Sequence, residues 1–246
     1  MLSDLVLLAG NWVCAIQGFA GSWVDPLWSV SLEEQFYLAW PLLAKVIRPS
    51  YWTLVAALMI IVALVSRMAL VSNHAGYTAV WCNTFTRLDT IACGILVARG
   101  LHGERPNLSR PLMLILAITS LSIPVLVERF TPVEAGAQPA VALLGYPAIA
   151  IACAIYLLII LSMRFDRLPV WMTAPLIYLG RISYGLYVFH VLAISLANHT
   201  GSAGFTALLL AACITVSCAS ISYRWLERPF LRLKARFAHV ASRPIA

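Results

Sequence analysis

Trp52-Thr53-Leu54-Val55-Ala56-Ala57-Leu58-Met59-Ile60-Ile61-Val62-Ala63-Leu64-Val65-Ser66-Arg67-Met68-Ala69-Leu70-Val71 decides the fold. It is apolar on every side and carries one charge, Arg67. A helix rises about 1.5 Å per residue, so about 20 such residues cross a hydrocarbon layer of about 30 Å. Ala203–Ser222 repeats the pattern at full length. Working outward, further apolar segments are Leu2–Phe19, Leu32–Val46, Phe85–Gly100, Leu112–Val127, Pro139–Met163 and Ile177–Asn198. Leu32–Val46 and Leu112–Val127 are short for a crossing, and Leu2–Phe19 is interrupted by Asp4, Asn11 and Gln17. The expectation is an all-α polytopic transmembrane bundle of about eight segments. No long linker, low-complexity tract or internal repeat divides it, so residues 1–246 read as a single membrane-embedded domain.

Composition agrees. The chain is 61% hydrophobic and 11% charged, with a mean hydropathy of +0.87. A soluble domain carries about a quarter charged residues. The net charge of +7 does not indicate nucleic acid, because the cations sit between apolar segments and at the C-terminus. Lys45, Arg48, Arg99, Arg105, Arg110, Arg164 and Arg167 flank alternate connections. The opposite set holds Arg129 against Asp25, Glu128 and Glu134. This is the positive-inside pattern, and it predicts a cytoplasmic C-terminus in an inner membrane. The basic, aromatic tail, residues 224–246, is expected on the cytoplasmic side, with Leu226–Arg243 along anionic lipid.

Charge is costly in hydrocarbon, so polar groups inside or beside these segments are candidate functional residues. Trp28-Ser29-Val30-Ser31-Leu32-Glu33-Glu34-Gln35-Phe36-Tyr37 sets two carboxylates at the mouth of a segment. Ser31 and Glu34 fit a capping box, which gives Glu34 a structural duty. Glu33 has none, and Tyr37 lies one turn on along the same face. Glu33 is therefore a candidate proton acceptor or charge partner, with Trp28, Gln35 and Tyr37 around a bound molecule. An interfacial carboxylate facing water is the plain alternative.

Thr86-Arg87-Leu88-Asp89-Thr90 holds opposite charges two positions apart, on different faces of a helix. Arg87 and Asp89 each need a partner elsewhere, and Glu33 is at a compatible depth for Arg87. They act either in chemistry or as a lock between helices. Leu179-Gly180-Arg181-Ile182-Ser183-Tyr184-Gly185-Leu186-Tyr187-Val188-Phe189-His190 is the other dense stretch. Ser183, Tyr187, His190 and Ile194 recur at helical spacing and make a polar stripe. Gly180 and Gly185 allow a neighbouring helix to approach closely. Arg181 suits a lipid phosphate or an anionic ligand. His190 is a catalyst or a hydrogen-bonded packing residue. Tyr223-Arg224-Trp225-Leu226-Glu227-Arg228-Pro229-Phe230 closes the last segment. The six cysteines contain no Cys-x-x-Cys pair, so no metal site or redox motif is expected.

Trp28–Pro41, Arg87–Gly94, Leu179–Tyr187 with His190, and Tyr223–Phe230 together resemble, in order, the motifs of the integral-membrane acyltransferase family 3, the O-antigen and exopolysaccharide O-acetyltransferases. The resemblance implies transfer of an acyl group, usually acetyl from acetyl-CoA, to a hydroxyl of a saccharide or other envelope molecule. It implies acyl-CoA as co-substrate and no bound cofactor. Arg181 would hold the phosphates of acyl-CoA. Glu33, Arg87 and Asp89 would shape the acceptor side. Complete members begin with a helix whose histidine is taken as the base, and none of the five histidines here occupies that place. The chain therefore reads as lacking the N-terminal helices, and weak or no activity is expected of it alone. Two other classes fit the polar intramembrane residues: a transporter or flippase of amphiphilic envelope substrates, and a non-catalytic membrane subunit.

Overall fold

A computed structural model of the chain describes residues 8–130, 138–163, 169–201 and 203–237. Among these residues it is all-helical, with no strand. The chain divides into two compact units, Met1–Gly21 with Leu27–Met163, and Ser22–Pro26 with Arg164–Ala246.

The first unit holds seven α-helices among its described residues. They are α1 (Gly10–Gln17), α2 (Trp28–Val46), α3 (Trp52–Ser72), α4 (Tyr77–Cys82), α5 (Leu88–Leu101), α6 (Arg110–Phe130) and α7 (Tyr146–Ser162). α3 packs along α5, α6 along α7, and the short α1 against α4. Arg99 ties the ends of α3 and α5 together, donating from Nε to Thr53 Oγ1 at 2.9 Å and from Nη1 to the Pro49 carbonyl at 2.9 Å. The second unit holds α8 (Val170–Arg181), α9 (Ser183–His199), α10 (Gly204–Ser222) and α11 (Arg228–Phe237). α9 and α10 form its main pair.

Side chains are sorted as a lipid solvent demands. In α3 the fully buried apolar residues are small, Ala56 and Ala63 at 0% exposure, while Leu58 and Val65 are 51% and 61% exposed. Helices in lipid gain no hydrophobic drive from pairing, so small residues turn inward to bring backbones together and branched aliphatics face the tails. Gly185 shows the closest approach. A Cβ built there would stand 2.9 Å from the Ala219 Cα, so glycine lets α9 lie on α10. Gly180, expected to do the same, has open space where its Cβ would go.

Among the described residues four helices are long and apolar enough to cross a membrane: Pro49–Ser72, Arg110–Arg129, Val141–Ser162 and Gly204–Leu233. Val170–Arg181 and Ser183–His199 add a fifth if the pair, bent by 70°, is one span. The chain is thus a multi-pass membrane protein. The expected count of about eight is not confirmed, and the reasons are local. α1 and α5 have 8 and 14 residues, too few to cross. α2 has the length, 19 residues, but carries Glu33, Glu34 and Lys45. The apolar run expected at Ile177–Asn198 breaks at buried Ile182.

One expectation at the head of α2 is overturned. The helix begins at Trp28, directly after a 3-10 turn at Asp25–Leu27, so Ser31 lies inside it. Ser31 Oγ is buried without a hydrogen-bond partner, and the capping box with Glu34 does not form. The preceding turn already tightens the chain into the helix, which removes the need for a side-chain cap.

Candidate functional site

In the first unit, Arg67 comes from the C-terminal part of α3 and is wholly buried. Its Nη2 donates to Asp89 Oδ2 at 2.7 Å, and its Nη1 donates to the Thr86 carbonyl at 2.8 Å. Asp89 is 3% exposed, and its other oxygen accepts from the Thr90 amide at 2.9 Å. The Thr86 hydroxyl, also buried, meets the Val80 and Asn83 carbonyls at 2.7 and 2.8 Å. Arg67, which has no evident partner in sequence, is thus the partner that Asp89 needs. The pair locks α3 to α5, the second of the two roles that the sequence leaves open.

Arg87 points elsewhere, as positions two apart on a turn require. Its Nε donates to the Trp81 carbonyl at 2.8 Å. Its guanidinium carbon lies 4.2 Å from the Trp81 ring centre, 4.9 Å from Tyr146 and 5.6 Å from Trp28. The expected partner, Glu33, does not pair with it. The aromatic rings supply the negative faces instead, worth about 0.5–2 kcal/mol each where water is excluded. Trp81 and Tyr146 also line a mainly apolar cavity of about 610 Å³, with Val125, Val141 and Ile149, and Glu128 and Arg129 also belong to its lining. The Tyr146 hydroxyl is buried and has no partner.

Gln35 belongs to a third cluster. Its Nε2 donates to Asn11 Oδ1 at 2.8 Å and to the Leu8 carbonyl at 2.6 Å. Asn11 Nδ2 donates to Thr84 Oγ1 at 2.8 Å and to the Cys82 carbonyl at 3.1 Å. Thr84 Oγ1 closes the ring by donating to Gln35 Oε1 at 2.7 Å. Trp28 borders this cluster through the buried group of Cys14, Ala15 and Cys82. Glu33 and Tyr37 share the exposed face of α2, as their spacing predicts, and make no hydrogen bond or ion pair with described residues that would draw them into these clusters. Burial pushes the Cys82 thiol up to about 12, with Cys14 adding to the rise and Arg87 opposing it. Cys82 is therefore a neutral packing residue and not a nucleophile.

The second unit holds the remaining expected residues. The Tyr187 hydroxyl donates to the Pro26 carbonyl at 2.6 Å. His190 Nδ1 faces the Tyr187 carbonyl, and the two rings lie 5.4 Å apart. A carbonyl only accepts, so Nδ1 is the donor in this contact. Ser183 and Arg181 are exposed on either side of the break at Ile182.

The expected residues therefore fall into two groups, Trp28, Glu33, Gln35, Tyr37, Arg87 and Asp89 in the first unit, and Arg181, Ser183, Tyr187 and His190 in the second. Sequence reasoning did not anticipate Asn11, Thr84 and Tyr146. Asn11 was visible as a polar interruption of an apolar run. Nothing in the pattern marked Tyr146 as the ring between two arginines.

A model of the acyltransferase domain of acyltransferase family 3 matches residues 4–224. The protein named Putative peptidoglycan O-acetyltransferase YrhL, of Bacillus subtilis (strain 168), is 28% identical over 219 residues, covering 82% of this chain and 34% of its own length. O-acetyltransferase OatA of Staphylococcus aureus (strain NCTC 8325 / PS 47) is 27% identical over 222 residues, covering 82% of this chain and 35% of its own length. The chain spans about a third of the length of these curated relatives. No solved structure matches it.

Proposed function

The chain belongs to acyltransferase family 3, and on that premise we propose that it serves O-acyl transfer at a membrane. The acyl group, acetyl, comes from acyl-CoA, and the acceptor is a hydroxyl of a saccharide or other envelope molecule. The observation that carries this reading is the family match over residues 4–224, nearly the whole chain. The names of the relatives, O-acetyltransferase and peptidoglycan O-acetyltransferase, support it for the acceptor class.

In the reaction the acceptor oxygen attacks the thioester carbonyl and gives up its proton to a base. The C–S bond then breaks, and coenzyme A leaves as the thiol. Within this chain we assign His190 to take the proton, because its Nδ1 is held against the Tyr187 carbonyl while Nε2 meets no described partner. Glu33 and Tyr37, unpaired by neighbours, are proposed for acceptor contact, and Arg181 for the donor's phosphates. Asp89 is a positioning residue through Arg67, and Arg87 holds the aromatic wall. We place the protein in the inner membrane with a cytoplasmic C-terminus, as the basic connections support.

Membranes carrying the chain, supplied with the family's histidine-bearing N-terminal helix, should transfer labelled acetyl from acetyl-CoA to envelope saccharide, and membranes without the chain should not. His190→Gln should lower the transfer by about 10²–10⁴-fold. Movement of an envelope lipid across proteoliposomes without acyl-CoA, and with no acetyl transfer, would replace this reading with the transporter.

A further inference from the structure

The second unit contains a pocket for which the roles above have no use. Where α10 ends, the backbone does not stop but widens into a π-helical turn, Tyr223–Glu227, before α11 begins. Such turns are rare, and they re-aim side chains. Here the turn opens a pocket of about 540 Å³ lined by Tyr178, Ser220, Tyr223, Arg224, Trp225 and Arg228. Its lining holds two guanidinium groups, two phenol rings and a hydroxyl, and no carboxylate. Among the described residues neither arginine has an ion pair, and Arg228 Nε is buried with no hydrogen-bond partner. The adjacent acid, Glu227, is engaged by the Ser222 hydroxyl at 3.4 Å and does not line the pocket.

An uncompensated pair of guanidiniums in a recess is an anion site by its own chemistry. Each presents a planar fork that matches phosphate oxygens two at a time. The tyrosine hydroxyls add donors, whereas the Ser220 hydroxyl already donates to the Val216 carbonyl at 2.6 Å, and Trp225 offers a ring to a flat or apolar remainder. We propose that this pocket binds a phosphate-bearing ligand through Arg224 and Arg228. The phosphate comes either from coenzyme A or from the headgroup of an anionic lipid. The first source rests on the acyl-transfer reading; the second does not.

The test uses the full chain in nanodiscs and two probes. One is coenzyme A with phosphatidylcholine discs, and the other is phosphatidylglycerol against phosphatidylcholine, read by native mass spectrometry. Arg224→Gln and Arg228→Gln should each weaken retention of at least one probe about tenfold or more, and Arg228→Lys should fall between parent and Arg228→Gln. Arg232→Gln, outside the pocket, should change it less than about twofold. Loss for coenzyme A alone names the donor, and loss for phosphatidylglycerol alone names the lipid. Parent-like retention of both probes in both Gln variants overturns the site. In the unaltered chain, photoreactive analogues of the two probes should crosslink within residues 220–228, and crosslinks confined to other segments overturn it even if a variant fails to fold. Acetyl transfer is measured separately, so a dead enzyme with intact binding counts against the function and not against the pocket.

Discussion

Arg67 and Arg228 each carry a guanidinium into a helical unit, and the fold treats them in opposite ways. Arg67 is wholly enclosed and meets a carboxylate at 2.7 Å and a carbonyl at 2.8 Å, its Nε alone lacking a partner as that of Arg228 does. Arg228 has neither, and it opens into a pocket beside a second unpaired arginine. A charge whose partners are all internal holds helices together. A charge that the chain leaves without a partner is available to something the chain does not contain. The proposed ligand role of Arg228 rests on this contrast and not on position along the sequence.

The sharpest way to break that contrast is at the enclosed pair. Asp89→Asn or Arg67→Met leaves one buried charge unmatched, and each should cost about 3–5 kcal/mol. Thermal unfolding of the detergent-solubilised chain would show it, with loss of the monodisperse peak on size exclusion. Removing both charges together, Arg67→Met with Asp89→Leu, should recover most of the loss, since the desolvation cost disappears with the attraction. If the double variant is as unstable as the singles, the pair matters for some reason other than its charges.

A smaller effect is expected at the amide ring. Gln35→Leu strips the partner from Asn11 Oδ1 and from the Thr84 hydroxyl and should cost about 1–3 kcal/mol by the same unfolding measurement. A value near zero would mean that water or lipid headgroups reach these atoms. Arg87→Lys should cost about 1–2 kcal/mol, because an ammonium keeps the charge but loses the planar stacking on Trp81 and Tyr146. Near-native stability for Arg87→Lys would show that charge alone suffices against the rings.

The sequence made the class legible because length and hydropathy are additive along a chain. Trp52–Val71 reads as a spanning helix whatever surrounds it. The close approach at Gly185 was legible too, but the same reading of Gly180 fails, because a missing side chain does not say whether a neighbour fills its place. Partners were not legible. Arg67 and Asp89 are 22 residues apart, and nothing local says that α3 turns one toward the other. Glu33 looked like the natural mate of Arg87 on charge alone. The rings that replace it, Trp81 and Tyr146, are apolar letters in a sequence pattern and cation acceptors only in three dimensions. The break at Ile182 did carry a sign: Gly180, Arg181 and Ser183 around it are helix-end residues inside a run that reads as continuous on hydropathy alone, and the backbone bends by 70° there. The π-helical turn after Ser222 has no such sign in the sequence.

The smallest effect falls on the open side. Arg224→Gln and Arg228→Gln should each change unfolding stability by less than about 0.5 kcal/mol, because no internal partner is lost with the charge. Arg228→Gln has reason to be neutral or slightly favourable, since Nε of the native residue is buried without a hydrogen bond. Arg224 is exposed, so its replacement alters hydration and little else. These variants should unfold with the parent in ligand-free detergent and diverge from it only when a phosphate-bearing molecule is added, because a ligand stabilises the state that binds it. A large loss of stability without ligand would erase the difference between the two arginines, and Arg228 would then be as structural as Arg67.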